Sequence, residues 1–144
     1  MDNTYQVKLI ETDHEIQQCW EVVFLLRPHL NKNNWATMIS EMMQHEKYSI
    51  AGIMDNGRFV AFAGYRSMTS LHSGNIIYLD DLCTLESYRG KGLASQLLNY
   101  VKAVALSEKK DAVVLDTDFT NNTAQKVYLN NGFQLAALHL ACPL

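Results

Sequence analysis

Cysteine is scarce in this chain of 144 residues. Cys19, Cys83 and Cys142 are odd in number, far apart and never arranged as C-x-x-C. That excludes a disulfide framework and a cysteine zinc site, and it points to reduced thiols. Long apolar runs are missing too, so no stretch reads as a bilayer span and no membrane partner is expected. Met1-Asp-Asn-Thr-Tyr-Gln6 lacks the basic-then-apolar signature of a signal peptide, which makes a cytoplasmic location the expectation. Basic charge is in short supply: 12 Lys and Arg stand against 15 Asp and Glu, a net charge of −3. A nucleic-acid surface needs a basic excess, so no nucleic-acid partner is expected. His14, His29, His45, His72 and His139 are scattered without metal-ligand spacing, and no metal is expected. Neither a Ser/His/Asp nor a Cys/His arrangement is legible. Repeats, linkers and low-complexity tracts are absent, which leaves one domain over residues 1–144.

What is present belongs to a globular protein: 48% of residues are hydrophobic and 19% charged. Gln6-Val-Lys-Leu-Ile10 alternates weakly as a first strand. Thr12-Asp-His-Glu15 has capping-box spacing, and Ile16, Trp20, Val23 and Phe24 then form one helical face that must end before Pro28. Asn33 or Asn34 can cap a second helix with Trp35, Met38, Ile39, Met42 and Met43 on one side. That stripe suits core packing, and its methionines also suit an adaptable wall over a substrate. Tyr48–Met54 and Phe59–Tyr65 read as strands joined by the hairpin signal Asp55-Asn-Gly57. Ser73-Gly-Asn75 turns into a further strand, Ile76–Leu85.

After that strand comes Glu86-Ser-Tyr-Arg-Gly-Lys-Gly-Leu-Ala-Ser95. Leu93, Leu97, Val101 and Val104 then recur at helical spacing, so a long helix starts near Gly92. A strand that turns through two glycines into a helix aims free backbone N–H groups at one point, where the helix end adds partial positive charge. Arg89 and Lys91 contribute full charges. This is the chemistry of a phosphate cradle. A Walker loop is excluded, because Gly92 rather than Ser or Thr follows Lys91. A dinucleotide-binding fingerprint fits poorly, because Ser95 stands where the third glycine belongs. A charged strand-to-helix turn without a ligand also fits the loop taken alone.

The remaining elements complete a pattern. Ala112–Asp118 reads as a buried strand, making a βαβ unit with a right-handed crossover. Thr120 or Asn121 starts a shorter helix with Ala124, Val127 and Tyr128 inward, stopped at Asn131-Gly132. Phe133–Leu140 is expected to close the sheet. The fold class is therefore α/β (α+β): a mixed sheet flanked by helices, antiparallel in its N-terminal strands and parallel around the cradle.

Arg89-Gly-Lys-Gly92-Leu-Ala94 matches Arg/Gln-x-x-Gly-x-Gly/Ala at every fixed position. Asn121-Asn-Thr-Ala124 with Tyr128 and Gly132-Phe133 matches a second pattern, in the right order on the right elements. Together they resemble the GNAT superfamily of acetyl-CoA-dependent N-acetyltransferases, and the resemblance covers nearly the whole chain. It implies that backbone groups of Leu82, Cys83 and Thr84 pair with the pantetheine arm of acetyl-CoA, and that one N–H there polarises the thioester carbonyl. It implies that N–H groups of Gly90, Lys91, Gly92, Leu93, Ala94 and Ser95, with Arg89, hold the pyrophosphate. Asn121 would bond the pantetheine amides, and Tyr128 would protonate the leaving thiolate. Helical periodicity alone favours an ordinary core tyrosine at Tyr128.

The reaction implied is direct attack of a primary amine on acetyl-CoA, with a small-molecule or peptide amine as acceptor. Many members of the superfamily dimerise, so a homodimer is an expectation. A domain that binds acyl-CoA as a sensor without turnover is the alternative function. An aliphatic amine titrates near ~10.4, so using its neutral form at neutral pH costs about 4–5 kcal/mol and calls for a proton acceptor. Asp80 stands where many members carry a base, though a solvated carboxylate serves as well for that position. Strand alternation puts Asp80 and Asp81 on opposite faces, with Tyr78 and Leu82 on the Asp80 side. Asp116 and Asp118 share a parity on the next strand. The four carboxylates would draw a cationic small amine or polyamine, unless two face solvent and two cap loops. Cys83 reads most simply as a buried strand residue.

Overall fold

The computed structural model describes residues 5–144. Its elements are β1 (Val7–Leu9), α1 (Asp13–Gln17), α2 (Trp20–Leu26), α3 (Trp35–His45), β2 (Tyr48–Asp55), β3 (Arg58–Ser70), β4 (Gly74–Thr84), α4 (Leu93–Ser107), β5 (Ala112–Leu115) and α5 (Asn122–Asn130). A single 3₁₀ turn, Glu86–Tyr88, joins β4 to the glycine loop. The five strands lie side by side in chain order. The first four pair antiparallel and β4 pairs parallel with β5. That parallel pair follows from α4 crossing between them, since adjacent strands running the same way need a long connection.

Two helical layers cover the sheet. Tyr65 and Ile77 face α4, where they line one cavity with Tyr100 and Val104. Alternation turns Tyr48 and Gly64 to the other face, which α1–α3 cover. Phe59, Phe62, Ile50, Ile53, Leu97 and Leu98 fill the core. The β2–β3 hairpin closes through Asn56 and Gly57, both at positive φ (55° and 77°), the primed-turn geometry that matches strand twist.

Four expectations are corrected. The helix expected across Ile16–Phe24 is broken at Gln18–Cys19, because the Gln18 carbonyl accepts from Phe59 N–H (3.1 Å) and the Gln18 side chain donates to Gly57 O (3.1 Å). The hairpin thereby takes the carbonyl a continuous helix would use, and Phe24 turns outward at 40% exposure. Met38 likewise leaves the α3 stripe for solvent, while Trp35 and Ile39 carry the packing. The strand expected across Ala112–Asp118 stops at Leu115 and is only half-buried. Phe133–Leu140 forms no ladder and does not close the sheet. Leu135 and Leu140 stand 86% and 85% exposed, so β-propensity there finds no facing surface to pair with.

Candidate active site

The glycine loop forms the cradle by backbone conformation. Gly90 and Gly92 sit at φ 79° and 81°, left-handed values that favour glycine, and a Cβ at either would project into open space. Gly92 is the N-cap of α4 and offers no side chain to its orphan donors. The first intrahelical bond is Gln96 N–H to Gly92 O (3.1 Å), which leaves the N–H groups of Leu93, Ala94 and Ser95 pointing out of a 15-residue helix. The Leu93 side chain is itself in the core, so it can serve a ligand only through its backbone. Arg89 bends back to donate from Nε to Thr84 O (3.2 Å), and Lys91 Nζ lies 5.9 Å from the Tyr88 ring centroid.

The strand leading into the cradle is open on one side. β4 pairs with β5 only as far as Leu79 and Leu115, whereas β3 follows it to Thr84. The strands thus part beyond Leu79. Beyond that point no β5 residue pairs with Leu82, Cys83 or Thr84, all half-buried, and the Thr84 carbonyl is taken by Arg89 Nε. An extended polar chain could add there as a strand does.

A β-bulge changes the reading of the two aspartates. Gly64 pairs with Asp81 and Tyr65 with Leu79, so Asp80 is the extra residue. The bulge breaks the alternation that would set Asp80 and Asp81 on opposite faces, and both join one network. Arg66 Nε donates to Asp80 Oδ2 (2.8 Å), and its guanidinium lies 5.8 Å from the Tyr48 ring centroid. Tyr48 donates its hydroxyl to Asp81 Oδ2 (2.8 Å). Arg27, at the end of α2, donates to Asp81 Oδ1 from Nε (3.1 Å) and Nη2 (2.9 Å), and also to the Asp80 carbonyl (3.0 Å). Burial pushes the Asp80 carboxyl above its ordinary value, with Arg66 pulling the other way. A carboxyl lifted toward neutrality is better matched to general-base work than an ordinary one.

Asn121 and Tyr128 come from α5. Asn121 caps the helix, its Oδ1 accepting from Ala124 N–H (3.0 Å), which leaves its amide NH₂ for a ligand. Tyr128 packs edge-on against Phe133, with ring centroids 5.9 Å apart. Burial raises the Tyr128 phenol above its ordinary value, opposed by the Arg27 charge, so it carries its proton at neutral pH. The end of α5 is tied to the start of α4: Asn131 Nδ2 donates to Ser95 Oγ (3.2 Å), and Lys102 donates to the Asn131 carbonyl. Those ties set the tyrosine helix beside the cradle. Burial also pushes the Cys83 thiol up, against the Arg89 charge, which keeps it a poor nucleophile.

Of the other two carboxylates, Asp118 is committed to its own loop, where Oδ1 accepts from the Thr120 N–H (2.7 Å) and hydroxyl (2.6 Å). Asp116 accepts from the Tyr78 hydroxyl and lies 3.1 Å from His139 Nδ1. Arg27, Arg66, Tyr48 and His139 belong to no motif and are not marked as site residues by the sequence. Gly64 carried the available signal, since a lone glycine inside a strand marks a bulge or a close approach. A Cβ there would stand 1.8 Å from Tyr48 Oη. Among the described residues no cluster of His, Cys, Asp and Glu could hold a metal ion, and no helix is long and apolar enough to cross a membrane.

Known proteins share the fold. The profile of the acetyltransferase (GNAT) family matches residues 9–133. YhdJ of Bacillus subtilis, named an uncharacterized N-acetyltransferase, is 23% identical over 130 residues, 90% of this chain and 92% of its own. HPA3 of Saccharomyces cerevisiae, a D-amino-acid N-acetyltransferase, is 33% identical over 75 residues, 51% of this chain and 47% of its own. Among solved structures, AAC(6')-Iy in complex with the bisubstrate analog CoA-S-monomethyl-acetylneamine superposes with a TM-score of 0.84 at 18% identity, covering 99% of each chain. A Trypanosoma brucei acetyltransferase gives a TM-score of 0.79 at 18% identity, over 98% of this chain and 100% of its own. At those identities the superpositions speak to the fold.

Proposed function

The chain belongs to the GNAT acetyltransferase family, and from that premise we propose that it moves the acetyl group of acetyl-CoA to a primary amine by direct attack, with Tyr128 as acid and Asp80 as base. The observation that carries this reading is the meeting of three features at one cleft. These are the uncapped N-terminus of α4 behind Gly90 and Gly92, the free edge of β4 from Leu82 to Thr84, and a protonated Tyr128 on the neighbouring helix.

Each feature suits one part of the substrate. Orphan N–H groups and the helix dipole favour a pyrophosphate, and Lys91 and Arg89 add charge. The open strand edge suits the amide-bearing pantetheine arm, with the Asn121 amide at its side. A backbone N–H of Leu82, Cys83 or Thr84 would polarise the thioester carbonyl. The amine nitrogen attacks that carbon, the C–S bond breaks, and Tyr128 gives its proton to the departing sulfur. Asp80, lifted by burial, takes a proton from the attacking nitrogen.

The acceptor face is of mixed charge. Arg66 and Arg27 answer Asp80 and Asp81, and Asp118 is held in its turn, so the field drawing cations is weaker than four free carboxylates would give. An amine that arrives protonated is still served, with Asp116 the carboxylate left for it.

The experiment is release of free thiol from acetyl-CoA in the presence of putrescine, benzylamine, and L- and D-alanine. Amine-dependent release with formation of the N-acetyl product is expected for at least one. Acetyl-CoA binding with no release for any amine would favour a sensor instead.

A further inference from the structure

Asp116, the carboxylate left for an incoming ammonium, has partners that the chemistry above does not use. β4 and β5 pair through Leu79 and Leu115 and then part, so Asp116 is the first residue beyond the last pair and Tyr78 the residue just before it on the facing strand. Tyr78 donates its hydroxyl to Asp116 Oδ2, and His139 Nδ1 lies 3.1 Å from the same oxygen. Oδ1 of Asp116 accepts no hydrogen bond among the described residues. Burial, and then the Asp116 carboxylate, raise the Tyr78 phenol above its ordinary value. It therefore remains an O–H donor and fixes the plane of the carboxylate. Side-chain exposure rises from 43% at Asp116 to 67% at His139, so this pair of partners leads outward to solvent.

Proton accounting gives that pair a use. An ammonium and a thioester yield an amide, a thiol and one free proton. The nitrogen forms its C–N bond and loses two protons in all, while the sulfur gains one. The second nitrogen proton can restore Tyr128 by way of Asp80. The first must leave before attack, because the ammonium has no lone pair, and it must reach solvent.

We propose that Asp116 receives the acceptor's ammonium at Oδ1 and that His139, 3.1 Å from Oδ2 of the same carboxylate, passes the surplus proton to solvent. This rests on the acetyl-transfer reading. His139 acts through Asp116 rather than on the substrate, which makes it a relay residue, and Tyr78 is the group that orients the carboxylate.

Thiol release with acetyl-CoA and the amine that the wild type uses fastest is compared for wild type, His139→Asn and Asp116→Asn, each with and without added imidazole. Asparagine at 139 keeps a hydrogen-bond donor toward Asp116 but cannot carry a proton, so a purely structural histidine would be replaced without loss. The relay predicts a fall in kcat of roughly 10²-fold, the lower end of acid–base effects, and its recovery with free imidazole. Asp116→Asn should raise KM for the amine and gain nothing from imidazole. Wild-type kcat in His139→Asn, or a loss that imidazole leaves unchanged, overturns the relay while the transfer reading stands. A wild type that releases no thiol with any amine overturns the transfer reading, and the relay falls with it.

Discussion

In the proposed transfer Tyr128 supplies the proton to the leaving thiol, and its surroundings explain its state. Burial holds the phenol protonated and the ring rests against Phe133, so the hydroxyl is the part free to act. Tyr128→Phe keeps that packing and removes the proton donor. Turnover should fall roughly 10²–10⁴-fold with acetyl-CoA affinity little changed, as judged by steady-state rates beside a binding titration. Equal turnover when chemistry limits the rate would make the tyrosine structural. This residue was legible because its spacing from Asn121 and Gly132 is part of a motif. Arg27 and Arg66 were not, since nothing near them in sequence announces the Asp81 and Asp80 partners 54 and 14 residues away. Ion pairs of that separation are set by the sheet register, and the bulge at Asp80 moved the register by one.

Individual elements followed local rules where local interactions decide them. Thr12 and Glu15 form the capping box in full, each side chain accepting from the other's backbone. Lys8 adds a 2.6 Å ion pair to Glu15. The Lys8 side chain and the two backbone N–H donors hold the Glu15 carboxyl down at about 2, from an ordinary 4.5. A carboxyl whose folded value is depressed contributes stability above its unfolded value and loses it as pH falls through the folded one. The contribution should therefore be complete above about pH 4.5 and fade toward about pH 2. Urea midpoints of wild type and Glu15→Gln should converge across that window, and parallel curves would show that Glu15 is not so held. Local rules failed where a distant group intervened. The break at Gln18 needs Phe59, and the missing closing strand needed a partner surface that Phe133–Leu140 does not meet.

At the scale of the whole molecule, the parting of β4 and β5 opens the candidate site. One parallel pair in an otherwise antiparallel sheet leaves a gap beyond Leu79. α4 aims its N-terminus beside that gap, and α5 is tied alongside through Asn131. The sequence disclosed the glycine loop before α4, the β4–α4–β5 unit and the helix that carries Tyr128, because each rests on glycines, periodicity and capping. It could not disclose how the acceptor side is furnished, which depends on α2, the bulge and the C-terminal segment meeting in space. The central claim is that CoA lies along β4 with its pyrophosphate on the N-terminus of α4. Backbone amide NMR of the protein titrated with CoA tests it most directly, with Gly92→Val as the control. Valine at a φ of +81° costs on the order of 1–2 kcal/mol of strain and fills the approach to the loop. Saturable shifts concentrated at Gly90–Ser95 and Leu82–Thr84 are expected in the wild type, and their loss in a still-folded Gly92→Val protein. Shifts centred elsewhere, or the same shifts in the variant, would contradict it.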